Sequence, residues 1–184
     1  GIVWGATAGF IGGRGGACMM RVVDMMYAVP YLLIAILMIT VLGREFYLVV
    51  VTITVFSWMT MARVVRGQTL SLRSKEFVEA ARAVGVPTRT IIFRHIIPNL
   101  LGVVVIYTTV TVPSVILVES VLSFLGLGIQ EPMTSWGVLI HDGTLAMEIS
   151  PWILLFPAAM LSITLYCFNF IGDGLRDALD PKDR

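Results

Sequence analysis

Apolar residues in this chain gather into long runs separated by short polar stretches, and the runs predict helices able to cross a lipid bilayer. The hydrocarbon core of a bilayer is about 30 Å thick and takes roughly 20 mostly apolar helical residues to span. Five stretches are candidates. Residues 1–11 are too short to cross and read as the tail of a cut helix. The others run from about Val22 to Leu42, Phe46 to Ala62, Leu100 to Val118 and Pro151 to Ile171. Pro30, Pro113 and Pro157 fall within or near these spans, where neighbouring helices can satisfy the carbonyls that a proline frees.

The polar stretches orient the spans. Arg14 and Arg21 follow the first run, and Arg63, Arg66, Arg73, Lys75, Arg82, Arg89 and Arg94 crowd residues 63–98 against only Glu76 and Glu79. Arg176, Lys182 and Arg184 lie in the tail. Of the 13 basic residues only Arg44 falls on the other side, so twelve share this one. The long segment 119–150 on Arg44's side holds Glu119, Glu131, Asp142 and Glu148 and no Lys or Arg. The positive-inside rule then makes residues 63–98 and the tail 172–184 cytoplasmic and 119–150 an outer loop. Alternation of the spans sends residues 1–11 inward. A six-helix protein missing its first helix fits that count.

Residues 63–98 carry local stop and start signals. Ser74 is a plausible N-cap, with Glu76 in the first turn where the helix dipole favours an anion. A short helix from Lys75 to Val84 should end at Gly85 in the left-handed conformation, and Pro87 prevents its continuation. Thr88 or Thr90 could cap a second helix through Ile97, closed by Pro98. Ala80, Ala81 and Ala83 leave a small-residue surface for a partner, while Phe77, Val78, Ile91, Ile92 and Ile96 can pin the elbow to the membrane helices. A basic amphipathic helix lying on the inner leaflet would explain the charge. It would need no Gly at a fixed distance and no closing Pro.

Composition sharpens the class. Hydrophobic residues make up 57% of the 184 residues and charged residues 14%, against about 45–50% and 25% for soluble domains. A net charge of +1 gives no reason to expect nucleic acid. Cys18 and Cys167 lack metal-ligand spacing and read as buried or interfacial thiols rather than a disulfide. No phosphate-binding G-x-x-x-x-G-K-[ST] occurs, because Lys75 and Lys182 are the only lysines and neither follows a glycine. The GGRGG run at Gly12–Gly16 follows a helix rather than a strand and reads as a flexible inner loop. Neither H-E-x-x-H nor G-x-S-x-G is present, and His95 and His141 fall on opposite sides of the membrane. Hence no catalytic residue, cofactor or metal is expected. Among the acids, Asp24 reads as a helix-start or snorkelling residue and Asp173 as the N-cap of a tail helix Leu175–Leu179. Glu119, at the outer end of its span, is a candidate for a pathway mouth or simply faces water. The outer segment also carries Gly126, Gly128, Pro132 and Trp136, with Trp152 just after it.

The spacing Glu79-Ala80-Ala81, three residues, Gly85, and a closing Pro98 resembles the EAA loop of bacterial ABC importer permeases, in which an Ile precedes a Leu-Pro. Here His95 replaces that Ile and Ile97 the Leu. SFLGLGIQEPMTSWG (Ser123 to Gly137) and GDGLRDALDP (Gly172 to Pro181) resemble the second permease subunit of dipeptide, oligopeptide and nickel importers. With the spans between them, the three stretches cover nearly the whole chain. The resemblance implies an all-α polytopic membrane protein, one permease domain over 1–184 with the type I importer (MetI-like) helical bundle. It implies coupling to a separate ATPase through Glu76, Glu79, Ala80, Ala81, Arg82, Gly85 and Pro98. The implied partners are two ATPase subunits, a second related permease and an extracytoplasmic substrate-binding protein, in the bacterial inner membrane. The competing expectations are a secondary transporter or channel independent of ATP and a non-transporting membrane scaffold. The first usually places ionisable groups at mid-membrane, and Ile34–Ile39 and Val49–Val55 contain none.

Overall fold

Every regular element among the described residues of the computed structural model, 1–43 and 45–179, is a helix. Arg44 and the tail residues Lys182 and Arg184, with Pro181 of the GDGLRDALDP stretch, lie outside them. The helices are α1 (Ile2–Ile11), α2 (Gly13–Tyr27), α3 (Tyr31–Leu42), α4 (Phe46–Leu72), α5 (Glu76–Ala83), α6 (Thr88–Phe124), α7 (Trp136–Leu145) and α8 (Trp152–Leu179). Of these, α4, α6 and α8 are long and apolar enough to cross a membrane. The expected span from Val22 to Leu42 is instead two helices, α2 and α3, interrupted at residues 28–30. Pro113 and Pro157 stay inside helices.

The chain forms two compact units, the first being Gly1–Pro30 with Ser57–Tyr107. Its assembly depends on glycines at every fourth position of α1. A Cβ on Gly1 would sit 2.6 Å from the Trp58 carbonyl oxygen, on Gly5 2.4 Å from that of Ala62, and on Gly9 2.9 Å from that of Arg66. Helix α1 therefore lies directly on the backbone of α4, the close approach that small residues four apart permit. Trp4 closes the same face edge-on against Trp58, with ring centroids 5.8 Å apart. The GGRGG run is not a loop. Gly12 and Gly13, at φ +63° and +52°, make the break between helices, and Gly16 sits where a Cβ would be 2.2 Å from the Ala8 carbonyl oxygen. Arg73 donates to the carbonyls of Phe10 and Ile11, both at 3.3 Å, and so satisfies the open end of α1. Asp24 lies in the last turn of α2 rather than at a helix start, and it pairs with Arg63 at 2.9 Å, both half exposed, while the Arg63 guanidinium also covers the Tyr27 ring. At that exposure the pair contributes about 1 kcal/mol or less.

The second unit holds Tyr31–Phe56 and the chain from Thr108 onward. Ala35, Ile39, Val49, Ile53 and Leu122 form its buried cluster. The segment 119–150 is far more structured than a loop. Residues 119–124 complete α6, and after a turn at Gly126 (φ +75°) the chain returns as α7, capped by Ser135, whose hydroxyl accepts from the Val138 N–H at 3.3 Å. Glycines again set the approach. A Cβ on Gly137 would lie 2.5 Å from the Ser120 carbonyl oxygen, and one on Gly143 2.6 Å from the Leu154 Cα. Helix α8 runs unbroken through Asp173, which therefore caps nothing. Cys18 and Cys167 are both free and exposed rather than buried.

Candidate functional site

The stretch expected to form an elbow of two short helices contains one. Helix α4 runs ten residues past its expected end at Ala62, to Leu72. The chain then turns, and α5 begins at Glu76 behind an extended Lys75. Ser74 does not cap it, because its hydroxyl donates to the Ser71 carbonyl instead, at 3.0 Å. Helix α5 ends as expected. Gly85 adopts φ +79°, its N–H bonds the Arg82 carbonyl at 3.0 Å, and the Val86 N–H bonds that of Ala81 at 3.0 Å. This pair of bonds is the Schellman termination, and only glycine adopts that backbone at no cost.

The second half of the expected elbow is the start of α6. Pro98 does not close a helix. Residues Ile91–Ile96 form a π turn in which the Ile97 N–H reaches back to the Ile92 carbonyl. The widened turn gives the Pro98 ring room beside the preceding carbonyls, and Pro98 has no N–H to place. Asn99 Nδ2 fills in by donating to the His95 carbonyl at 2.6 Å. Neither Thr88 nor Thr90 caps through its side chain; Pro87 holds the N-cap position.

The faces of α5 are sharply divided. Val78 is fully buried in a cluster with Phe10, Val65, Ile91, Ile92, Ile96 and Leu100, and Ala81 packs on its edge. Phe77, expected to help pin the helix, is 41% exposed and takes no part in that cluster. Glu76, Glu79, Ala80, Arg82, Ala83 and Gly85 are exposed, and Val84 is 82% exposed. The Arg82 guanidinium lies over the Phe10 ring, 4.6 Å from its centroid, and ties the exposed face to the end of α1. Beside it is a cleft of about 380 Å³ lined by Phe10, Arg82, Gly85, Val86 and Thr88 among others. The structure thus gathers Glu76, Glu79, Ala80, Arg82 and Gly85 on one exposed surface element. Ala81 lies partly beneath it, and Pro98 belongs to α6, beyond the π turn.

Glu119 belongs to the second unit, where it lines a cavity of about 550 Å³. The wall is mostly apolar, from Val49, Val50, Ile53, Val115, Ile129, Trp136 and Leu139, with Thr54, Thr134 and Ser135 between them. The Ser123 hydroxyl donates to Glu119 Oε1 at 2.5 Å and accepts from Ser135 Oγ at 3.3 Å. Sequence reasoning missed both serines. Ser123 was visible as the residue four positions on, on the same helical face. Ser135 gave no such signal, because the helix that it caps is too short to show a clear period. No group of three or more metal-ligating side chains occurs among the described residues.

A several-helix membrane protein with a buttressed but exposed short helix is the class these features define. The chain belongs to the family of binding-protein-dependent transport system inner membrane components, which matches residues 1–184. Its bundle is accordingly the MetI-like helical permease fold, and it is a multi-pass inner-membrane protein. It is 55% identical over 184 residues to the oligopeptide transport system permease protein OppC of Haemophilus influenzae, covering 100% of this chain and 59% of that protein. The corresponding protein of Escherichia coli K12 is 58% identical over 173 residues, covering 94% of this chain and 57% of its own. The dipeptide transport system permease protein DppC of Bacillus subtilis is 45% identical over 185 residues, covering 100% and 58%. The chain thus spans 57–59% of the length of these relatives.

Proposed function

We propose that the chain forms half of the translocation pathway of an ATP-binding-cassette importer for oligopeptides or dipeptides. In this reading it hydrolyses no ATP itself and is driven through α5 by a separate ATPase subunit. The observation that carries the proposal is the build of α5. A helix of eight residues is too short to be stable alone. Here Val78, the Schellman turn and the Arg82–Phe10 contact fasten it to the bundle, while its acidic and small residues stay exposed. A lever must be fixed at its base and free at its contact face. The relatives' names supply the solute class, since both kinds are named for peptide transport.

The same reading places residues 63–98 and the tail in the cytoplasm, because the basic residues concentrate there. The assembly it implies contains two ATPase subunits, a second related permease and an extracytoplasmic binding protein facing residues 119–150. Its test is co-purification of the complete protein, expressed with its native neighbours and extracted in mild detergent. The wild type is expected to retain an ATPase subunit. Glu79→Lys, which reverses a charge on the exposed face, should lower the amount retained by about tenfold. Undiminished retention would remove Glu79 from the interface.

A further inference from the structure

We propose that the cavity beside Glu119 is a subsite for the free amino terminus of a peptide in transit, with the ammonium on the Glu119 carboxylate and the first side chain against the apolar wall. The inference rests on the peptide-permease reading and names the part of the solute recognised at this point. Glu119 is the only charged residue among the described residues that line the cavity. A carboxylate in a mostly apolar wall needs compensation, and here it receives half of it. Donors run in one direction, from the Val138 N–H to Ser135 Oγ, from Ser135 to Ser123 Oγ, and from Ser123 to Glu119 Oε1. That chain begins at the N-terminus of α7 and fixes the carboxylate in place. The second carboxylate oxygen has no hydrogen-bond partner among the described residues, and no Lys or Arg lines the space.

The chemistry of the wall selects the ligand. A metal ion would need more donors of its own kind than one carboxylate and a few hydroxyls. A primary ammonium has three N–H donors, and the carboxylate with the Thr54 and Thr134 hydroxyls offers acceptors for them. A volume of about 550 Å³ lies within the usual range for small-ligand sites. Every linear peptide presents one amino-terminal ammonium whatever its sequence. A single anionic contact backed by nonspecific apolar walls therefore recognises peptides as a class.

The experiment uses the complete transporter, with its binding protein and ATPases, in proteoliposomes. The probe is a tripeptide with a free amino terminus and a diazirine-bearing leucine as its first residue. Irradiation during ATP-driven uptake should label the cavity wall, within residues 46–54, 115–116 and 129–139, read by mass spectrometry. Glu119→Gln, which keeps the shape and an acceptor, should lower that labelling by about tenfold, as expected for loss of a charge-assisted hydrogen bond. Ser123→Ala should lower it by about two- to threefold, by releasing the carboxylate from its support. Unlabelled peptide should compete, and its N-acetylated form should compete far less well. Three results would each overturn the subsite: labelling elsewhere while uptake proceeds, equal labelling in Glu119→Gln, or equal competition by the acetylated peptide. Equal labelling together with loss of subunit association would assign Glu119 to a neighbouring subunit instead. Absence of ATP-driven peptide uptake by the wild type is a different failure, which would remove the permease reading and this subsite with it.

Discussion

Gly85→Val is expected to cut peptide uptake per ATP hydrolysed by about tenfold or more while the protein still inserts and assembles. The cause lies in the backbone and not in crowding. Gly85 sits at φ +79°, and a Cβ placed there meets nothing within 4 Å. A side chain in left-handed geometry costs about 1–2 kcal/mol, and a β-branched one is a genuine outlier there. The turn would relax by giving up the bonds from Gly85 to Arg82 and from Val86 to Ala81. The end of α5 would then fray at the surface that, in the proposed importer, takes force from the ATPase. Gly85→Asn separates conformation from size, because asparagine tolerates the left-handed region and should restore most coupling. Uptake and ATP hydrolysis measured in the same vesicles decide the matter. Normal coupling in the valine variant would count against α5 as the lever.

Gly137→Leu should cause the largest loss of stability. Its Cβ would stand 2.5 Å from the Ser120 carbonyl oxygen and 2.6 Å from the Ser120 Cα, so the obstacle is backbone and cannot rotate away. Helix α7 must lift from α6, taking Ser135 away from Ser123 and leaving Glu119 without its support. Overpacking of this kind costs about 3 kcal/mol, which for a chain of this length lowers Tm by roughly 6–12 °C. Gly67→Ala is the control, since a Cβ there also meets nothing within 4 Å and the position is helical. It should be neutral or slightly stabilising. A melting curve in detergent for each variant tests both statements, and an unshifted Gly137→Leu would mean that α7 does not pack as described.

The long spans were legible because sustained apolar runs of about a bilayer's width admit few other structures. Gly85 was legible because one residue type dominates left-handed helix ends. The errors share a cause: residues read as punctuation were given their usual meaning where a local competitor decided otherwise. Pro98 was read as a stop, yet a π turn before it absorbs the ring and α6 continues. Ser74 was read as a cap, but the Ser71 carbonyl takes its hydroxyl, the local competition to which short polar side chains are prone. The Gly12–Gly16 run was read as loop, although most of it is helix held tight against α1. Helix α7 was hidden because ten residues carry too little periodicity to distinguish a helix from an outer loop. At the candidate sites, residue types were readable from sequence but their partners were not. Glu119 drew notice as an acid at a span's end, whereas the relay through Ser135 depends on a chain reversal at Gly126.

The glycine face of α1 sets two requirements of a membrane protein against each other. Entry into the bilayer is favoured by every methylene added to a segment, and on insertion scales leucine ranks among the most favourable residues. At Gly5 and Gly9 the same methylenes would meet the α4 backbone, 2.4 Å from the Ala62 carbonyl oxygen in the first case. Greasier variants of this helix would partition into lipid more readily and then fail to find their neighbour. A hydropathy profile therefore ranks substitutions along this face in the reverse of their true order of harm.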